Sequence, residues 1–373
     1  MPPRHVYVHV PFCARRCTYC DFSIAVRRVV PVDEFADALG RELAIRFPPG
    51  EQWEVNTLYL GGGTPSRLGA DGVERVLDVL RTRIGLREGA EVTIEANPDD
   101  VTNEAARAWR RAGVNRLSVG AQSFDDGVLG WMHRTHDAGA IERAVNCAHR
   151  SGIVNLSLDL IFALPSAVER SWTKDLERAL ALEPAHLSLY GLTIEAGTPL
   201  GRERRRGRVV ESPDERYEAE FLEAHAAVTG AGLEHYEVSN FGRPGHHSCH
   251  NRSYWSGVAY AGLGPSAHEF DGLRRRANAP AYTEWLRRVS AGADPVAELE
   301  ILTAENRVAE TVYLGLRTTE GLTVSAAEAE RVRSWIEAGW GTLDSSNRLR
   351  LTPLGWLRLD SLAADLTLIR SRY

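Results

Sequence analysis

The sequence contains no run of about 18 apolar residues, the length a membrane-crossing helix needs. Its opening residues, MPPRHVYVHVPFC, offer neither a long apolar stretch nor a small-residue cleavage site. A secretory signal is therefore not expected, and the chain reads as cytoplasmic. An excess of basic charge is also missing. Forty-four Lys and Arg stand against 50 Asp and Glu, a formal net charge of −6, which gives no general reason to bind nucleic acid. Cysteine is scarce: five in 373 residues, an odd number, with three of them inside eight positions. That pattern excludes a disulfide framework and points to metal or redox chemistry.

The remaining composition is that of a globular chain. Hydrophobic residues make up 43% and charged residues 25%, which excludes collagen, a coiled coil and a disordered tail. The length accommodates one large domain and a smaller one. Strand-like and helix-like segments alternate over the first ~230 residues. HVYVHV from His5 reads as a strand, and Phe35, Leu39, Leu43 and Phe47 mark one helix face. Strands are predicted at 55–60, 91–98, 116–124, 155–165 and 186–192. Helices are predicted from about Ala70, over 102–112, 138–150, 169–182 and 213–230.

Six β-then-α units in a row predict a parallel sheet with helices outside. Polar residues end strand after strand, which favours a partial (βα)₆ barrel over a doubly wound sheet, because strand ends form the functional rim of barrels. The barrel is assigned to 1–235 and a connecting region, irregular and rich in His, Gly, Tyr and Trp, to 236–300. The basic run RERRRGR from Arg202 reads as a solvated loop. A smaller, mostly helical, winged-helix-like C-terminal domain is assigned to 301–373, with RLRLTPLGWLRL from Arg348 as its last strand. In an acidic chain without a basic recognition helix, that module reads as structural.

Cys13, Cys17 and Cys20 form C-x₃-C-x₂-C just after the first strand. Three thiolates on a four-iron cluster leave one iron open, as a catalytic site needs; ferredoxins and structural zinc sites use four ligands. The competing reading is a zinc site completed by a distant His or Cys. Gly61, Gly62, Gly63, Thr64 and Pro65 follow the second strand, where glycines let backbone approach a ligand. Glu95, Gln122 and Asp159 end the next three strands, and Arg134 lies twelve residues after Gln122. A buried core does not tolerate such a polar ring without a ligand or mutual partners. A carboxylate or glycine carbonyls can take an ammonium group, an Arg a carboxylate, and an Asp ribose hydroxyls.

PFCARRCTYCDF resembles the cluster loop of the radical S-adenosylmethionine (SAM) superfamily, with Tyr19 in its aromatic position. GGGTPS is similar to the stretch that holds the SAM amino group there. The resemblance implies a 4Fe-4S cluster whose open iron binds the amino and carboxylate groups of SAM. YVHVPFC, GGGTPS, IEANP, GAQSF and LDLIFALP, followed by SCHNRSYWSG, LGPSAH and NRVAETVYLGLR, resemble the oxygen-independent coproporphyrinogen III oxidase group, and within it the HemW branch. By position in those motifs, Tyr7, Gly62, Gly63, Thr64, Glu95, Gln122, Arg134 and Asp159 would contact SAM.

Two features separate the branches. The oxidases resemble C-x₃-C-x₂-C-x-C, and Phe22 stands here at the last cysteine. The HemW branch shows H-N-x-x-Y-W, which reads here His250, Asn251, Arg252, Ser253, Tyr254, Trp255. That motif implies haem binding, with His250 as iron ligand, and delivery to acceptor haem proteins. Neutral imidazole suits haem iron, and Tyr254 and Trp255 offer flat faces to a porphyrin. Cys249 is an alternative ligand, with His246 and His247 nearby, and the competing reading is a His-rich loop packed on the barrel. A haem chaperone is thus the first expectation. Transient membrane association and a homodimer are compatible with it. The alternative is a coproporphyrinogen III oxidase making protoporphyrinogen IX by radical chemistry.

Overall fold

In a computed structural model, residues 2–47 and 53–370 are described. Nine strands form the central sheet: β1 (His5–Val10), β2 (Trp53–Gly62), β3 (Ile84–Ala96), β4 (Arg116–Gln122), β5 (Asn155–Phe162), β6 (His186–Gly191), β7 (Glu234–Glu237), β8 (Asn240–Gly242) and β9 (Ala261–Leu263). Their order is β9-β1-β2-β3-β4-β5-β6-β8-β7. The first six are parallel neighbours, with β9 parallel to β1 at one edge and the β7–β8 hairpin antiparallel to β6 at the other. This is the expected partial (βα)₆ barrel, extended at both edges. Among the described residues no helix is long and apolar enough to cross a membrane.

Each barrel strand alternates with period two, and the two sets face different surroundings. The apolar set includes Val6, Val8, Leu58, Leu60, Val92, Ile94, Leu117, Val119, Leu156, Leu158, Leu187 and Leu189, all packed in the main core. Against it lie the buried faces of α1 (Val32–Arg46), α2 (Gly69–Arg81), α3 (Asn103–Arg111), α4 (Ala138–Ser151) and α5 (Trp172–Ala181). These helices form where apolar residues recur at 3.6-residue spacing, as Val73, Val76, Leu77 and Leu80 do in α2. Asp137 caps α4 by accepting from the Ala140 N–H, and Gly152 ends it at φ 84°. The other set is polar and turns into the barrel. Register aligns Tyr7 with Tyr59, Tyr59 with Thr93, Glu95 with Ser118, and Gly120 with Asp159.

The chain beyond 235 is more regular than its sequence suggests. Besides β8 and β9 it holds α6 (Cys249–Trp255), so the HNRSYW motif is helical, capped by Ser248, which accepts from the Asn251 N–H. A second sheet of three strands (His268–Phe270, Arg274–Asn278, Val296–Ile301) follows. RERRRGR is solvated as expected, but its first residues end the helix Pro199–Arg205, capped by Thr198. The C-terminal module runs helix, strand, two helices, two strands, in a three-stranded antiparallel sheet, the winged-helix-like order. Its last strand is shorter than expected and covers only Arg348–Leu351. Thr352 then caps a helix that begins with Pro353, a residue that cannot donate to a strand ladder but suits a helix start.

Candidate functional site

A cavity of about 530 Å³ opens at the C-terminal ends of the parallel strands. Its wall brings together Cys13, Cys17, Cys20, Tyr19, Gly62, Gly63, Thr64, Glu95, Gln122, Arg134 and Asp159, from segments spread over some 150 residues. Tyr7 and His250 are not on that wall.

The cysteine loop is fixed at both ends. Phe12–Cys13 pairs in parallel with Ala25–Val26, and the Thr18 N–H donates to the Met132 carbonyl. Cys13 is buried, Cys17 and Cys20 are half-buried, and the Thr64 hydroxyl lies 3.3 Å from Cys13 Sγ. Burial, and after it the charges of Cys20 and Cys17, push the Cys13 thiol up to about 11. Three thiolates there need a compensating positive charge, which iron supplies. The donor set fits the implied cluster.

The glycine turn docks directly on this loop. A Cβ at Gly63 would lie 2.6 Å from the Pro11 carbonyl carbon and oxygen, and Gly62 sits at φ 110°. Under it, His9 Nε2 donates to the Ser23 carbonyl at 3.0 Å and His9 Nδ1 accepts from the Tyr7 hydroxyl at 3.1 Å. Burial above all lowers His9 to about 4, so the ring is neutral and this polarity is fixed. Tyr7 thus reaches the cysteine loop through His9.

Glu95 accepts from the Tyr59 hydroxyl (2.8 Å) and the Gly62 N–H (2.9 Å). Its burial outweighs these donors and raises its pKa to about 7. Arg134 donates to the Asn97 side chain (2.7 Å) and the Gly120 carbonyl (2.9 Å), with Cys17 Sγ at 3.5 Å. Among the described residues its buried Nε has no partner, a donor that a carboxylate ligand would satisfy. Gln122 has φ 66°, a left-handed backbone rare for a non-glycine residue and a mark of functional strain. Asp159 accepts from Ser118 and Ser157, and burial raises its pKa. Phe22, at the position that separates the two branches, stands on the cavity wall 59% exposed. His9, Tyr59, Asn97 and Ser118 had not been singled out; their signal was strand alternation, which puts His9 with Tyr7 and Ser118 with Gln122 on inward faces.

His250 lies deeper, at the other end of the barrel. It is 1% exposed, its ring stacks on Tyr59 at 4.9 Å, and both ring nitrogens are engaged, Nδ1 with Thr57 Oγ1 (2.7 Å) and Nε2 with the Tyr254 hydroxyl (2.8 Å). Cys249 is exposed.

The Radical SAM superfamily matches residues 7–179, the stretch that carries the cysteine loop and the strand-end residues. With this barrel and this triad, the chain is a radical SAM protein. The haem chaperone HemW of Synechocystis sp. is 36% identical to it over 330 residues, 86% of this chain and 79% of that protein. HemW of Mycobacterium tuberculosis is 35% identical over 369 residues, 98% of this chain and 95% of its own. The chain belongs to the HemW family. Among solved structures, coproporphyrinogen III oxidase (HemN) from Escherichia coli shares the fold, with TM-score 0.83 over 98% of this chain and 90% of that one at 23% identity.

Proposed function

We propose that this chain is a haem chaperone that binds haem and passes it to acceptor haem proteins. Similarity to HemW proteins over nearly the whole chain, HNRSYW helix included, carries this reading. In it, Cys13, Cys17 and Cys20 hold three irons of a 4Fe-4S cluster. Glu95 and the Gly62–Thr64 turn take the amino group of SAM, Arg134 its carboxylate, and Asp159 and Gln122 its nucleoside. Tyr19 packs against the apolar cluster of Val128, Met132, Ile161 and Leu164 and anchors the loop there. Tyr7 acts on the loop through His9. When bound, the cluster supplies single electrons to the sulfonium. The chain's own residues fix the ligand's charged ends, and the Tyr59 hydroxyl holds Glu95 in place. His250 is the proposed haem ligand, with Cys249 as the alternative.

The test is titration of haemin into anaerobically reconstituted protein, followed at the Soret band, with wild type beside His250→Ala and Cys249→Ser. Saturable binding that one variant loses is expected. Absence of specific binding in wild type would overturn the reading and turn attention to coproporphyrinogen turnover.

A further inference from the structure

Resting on that reading, we infer that helix α6 is a latch: docked as it is here, it withholds His250 from iron, and Glu91 and Thr57 are the positioning residues that keep it shut. Iron coordination needs an imidazole nitrogen with a free lone pair. A neutral ring has one such nitrogen, and here either choice is taken, by the Thr57 hydroxyl or by the Tyr254 hydroxyl. The ring is also enclosed on a face and an edge. Tyr59 covers one face, and Tyr254 stands edge-on at 5.0 Å with Tyr260 behind it. A porphyrin has no approach to His250 while α6 stays docked.

The fastening is specific. Both oxygens of Glu91, a buried residue of β3, accept backbone N–H groups from the first turn of α6: Cys249 at 3.0 Å and His250 at 2.9 Å. These are charge-assisted bonds at the end of a helix that favours negative charge. Thr57 of β2 fixes the ring itself and is bridged to His5 at 3.0 Å. On the outer side Arg317 covers the Trp255 ring at 4.0 Å and Arg252 pairs with Glu320. Glycines with left-handed backbone flank the helix, Gly245 (φ 82°) before it and Gly257 (φ 66°) after it. A Cβ at Gly245 would meet nothing within 4 Å, and the Gly257 N–H bonds within the helix end, to the Tyr254 carbonyl at 3.2 Å. To undock as a unit between the two glycines, the seven-residue helix must give up these bonds and the stacking of His247 on Tyr236 at 4.1 Å, while its own hydrogen bonds stay intact.

Apparent affinity is the intrinsic affinity scaled by the fraction of open molecules. Weakening the latch should therefore tighten haem binding. Haemin titration and stopped-flow Soret kinetics on the full, reconstituted protein should show Glu91→Gln and Thr57→Val binding at least about threefold more tightly or faster than wild type. His250→Ala should lose the wild-type spectrum. Amide hydrogen exchange supplies a readout independent of binding strength: the amides of Cys249 and His250 should lose protection on haemin addition, and without haemin in Glu91→Gln. If His250→Ala abolishes binding while both latch variants bind as wild type and protection is unchanged by haemin, the latch is refuted and the chaperone reading stands. If His250→Ala binds with the wild-type spectrum, His250 is not the ligand and the latch falls with it.

Discussion

Glu95 is the residue whose chemistry the site leaves most exposed to test. Its carboxyl is buried, and burial lifts its pKa to about 7 against the donors Tyr59 and Gly62 N–H, with Asp159 adding to the rise. A ligand amino group that binds iron and donates its N–H to Glu95 favours only the ionised carboxylate. Binding must then release the proton, and affinity falls as pH drops through 7. With a pKa of about 7, Glu95 by itself should weaken the dissociation constant of SAM about eightfold between pH 7.5 and pH 6.0, releasing about 0.9 proton at pH 6.0 and about 0.2 at pH 7.5 beyond the proton the ligand's own amino group loses. Calorimetry in two buffers of different ionisation enthalpy measures both quantities. Glu95→Gln should bind more weakly and lack the Glu95 part of the pH profile and of the proton release. The same shift sets a stability term. The raised pKa contributes stability that is complete below the ordinary carboxylate range and is lost as pH rises through about 7. From 4.5 to about 7 it amounts to about 3 kcal/mol. At pH 8, ligand-free Glu95→Gln should therefore be more stable than wild type while binding SAM less well. A wild-type profile with the same slope as Glu95→Gln from pH 6.0 to 7.5 would refute the assignment of the ligand amino group to Glu95.

Two further substitutions test the frame. Gly63→Ala drives a Cβ into the Pro11 carbonyl, so the cysteine loop must shift; destabilisation of about 1–3 kcal/mol and lower iron content after reconstitution are expected, whereas Gly130→Ala, with open space around it, should be near neutral. Glu42 is fully buried and accepts from Arg46, the Gly264 N–H, Asn278 and Trp285, fastening α1 to β9 and the residues beyond it. Glu42→Ala should cost about 3–5 kcal/mol, read as a lower urea midpoint with unchanged slope.

The barrel was legible because each unit carries its own pattern: period two in the strands, 3.6 in the helices, and a Gly or Pro at the joins. The segments that escaped notice carry none. Strand β9 has three residues, and its pairing partner for Ala261 is Val6, far away in the chain. Helix α6 has no apolar stripe in its sequence; Ser248 caps it and Glu91 of a distant strand holds its first turn. At the C-terminus the alternation of RLRL suggested a longer strand, and the Thr-Pro step overruled it.

The candidate site divides along the same line. The rim residues follow their strands directly, so short motifs report them, and Cys13, Gly63, Glu95 and Arg134 meet as those motifs imply. The interior of the barrel is different, since inward-facing polar residues read alike whether they await a ligand or satisfy one another. His186 bonds Ser157 and Tyr236, His250 bonds Thr57 and Tyr254, and Glu91 is filled by two amides: these groups are sealed by their own chain. Among the described residues Arg134 Nε at the rim has no hydrogen-bond partner, and neither do Arg116 Nε and Thr93 Oγ1 inside the barrel. Tyr59 belongs to both, its hydroxyl on Glu95 and its ring under His250. Which of these groups satisfy one another depends on contacts between distant strands, as Thr57 and Tyr254 reach His250, and no short motif reports such contacts.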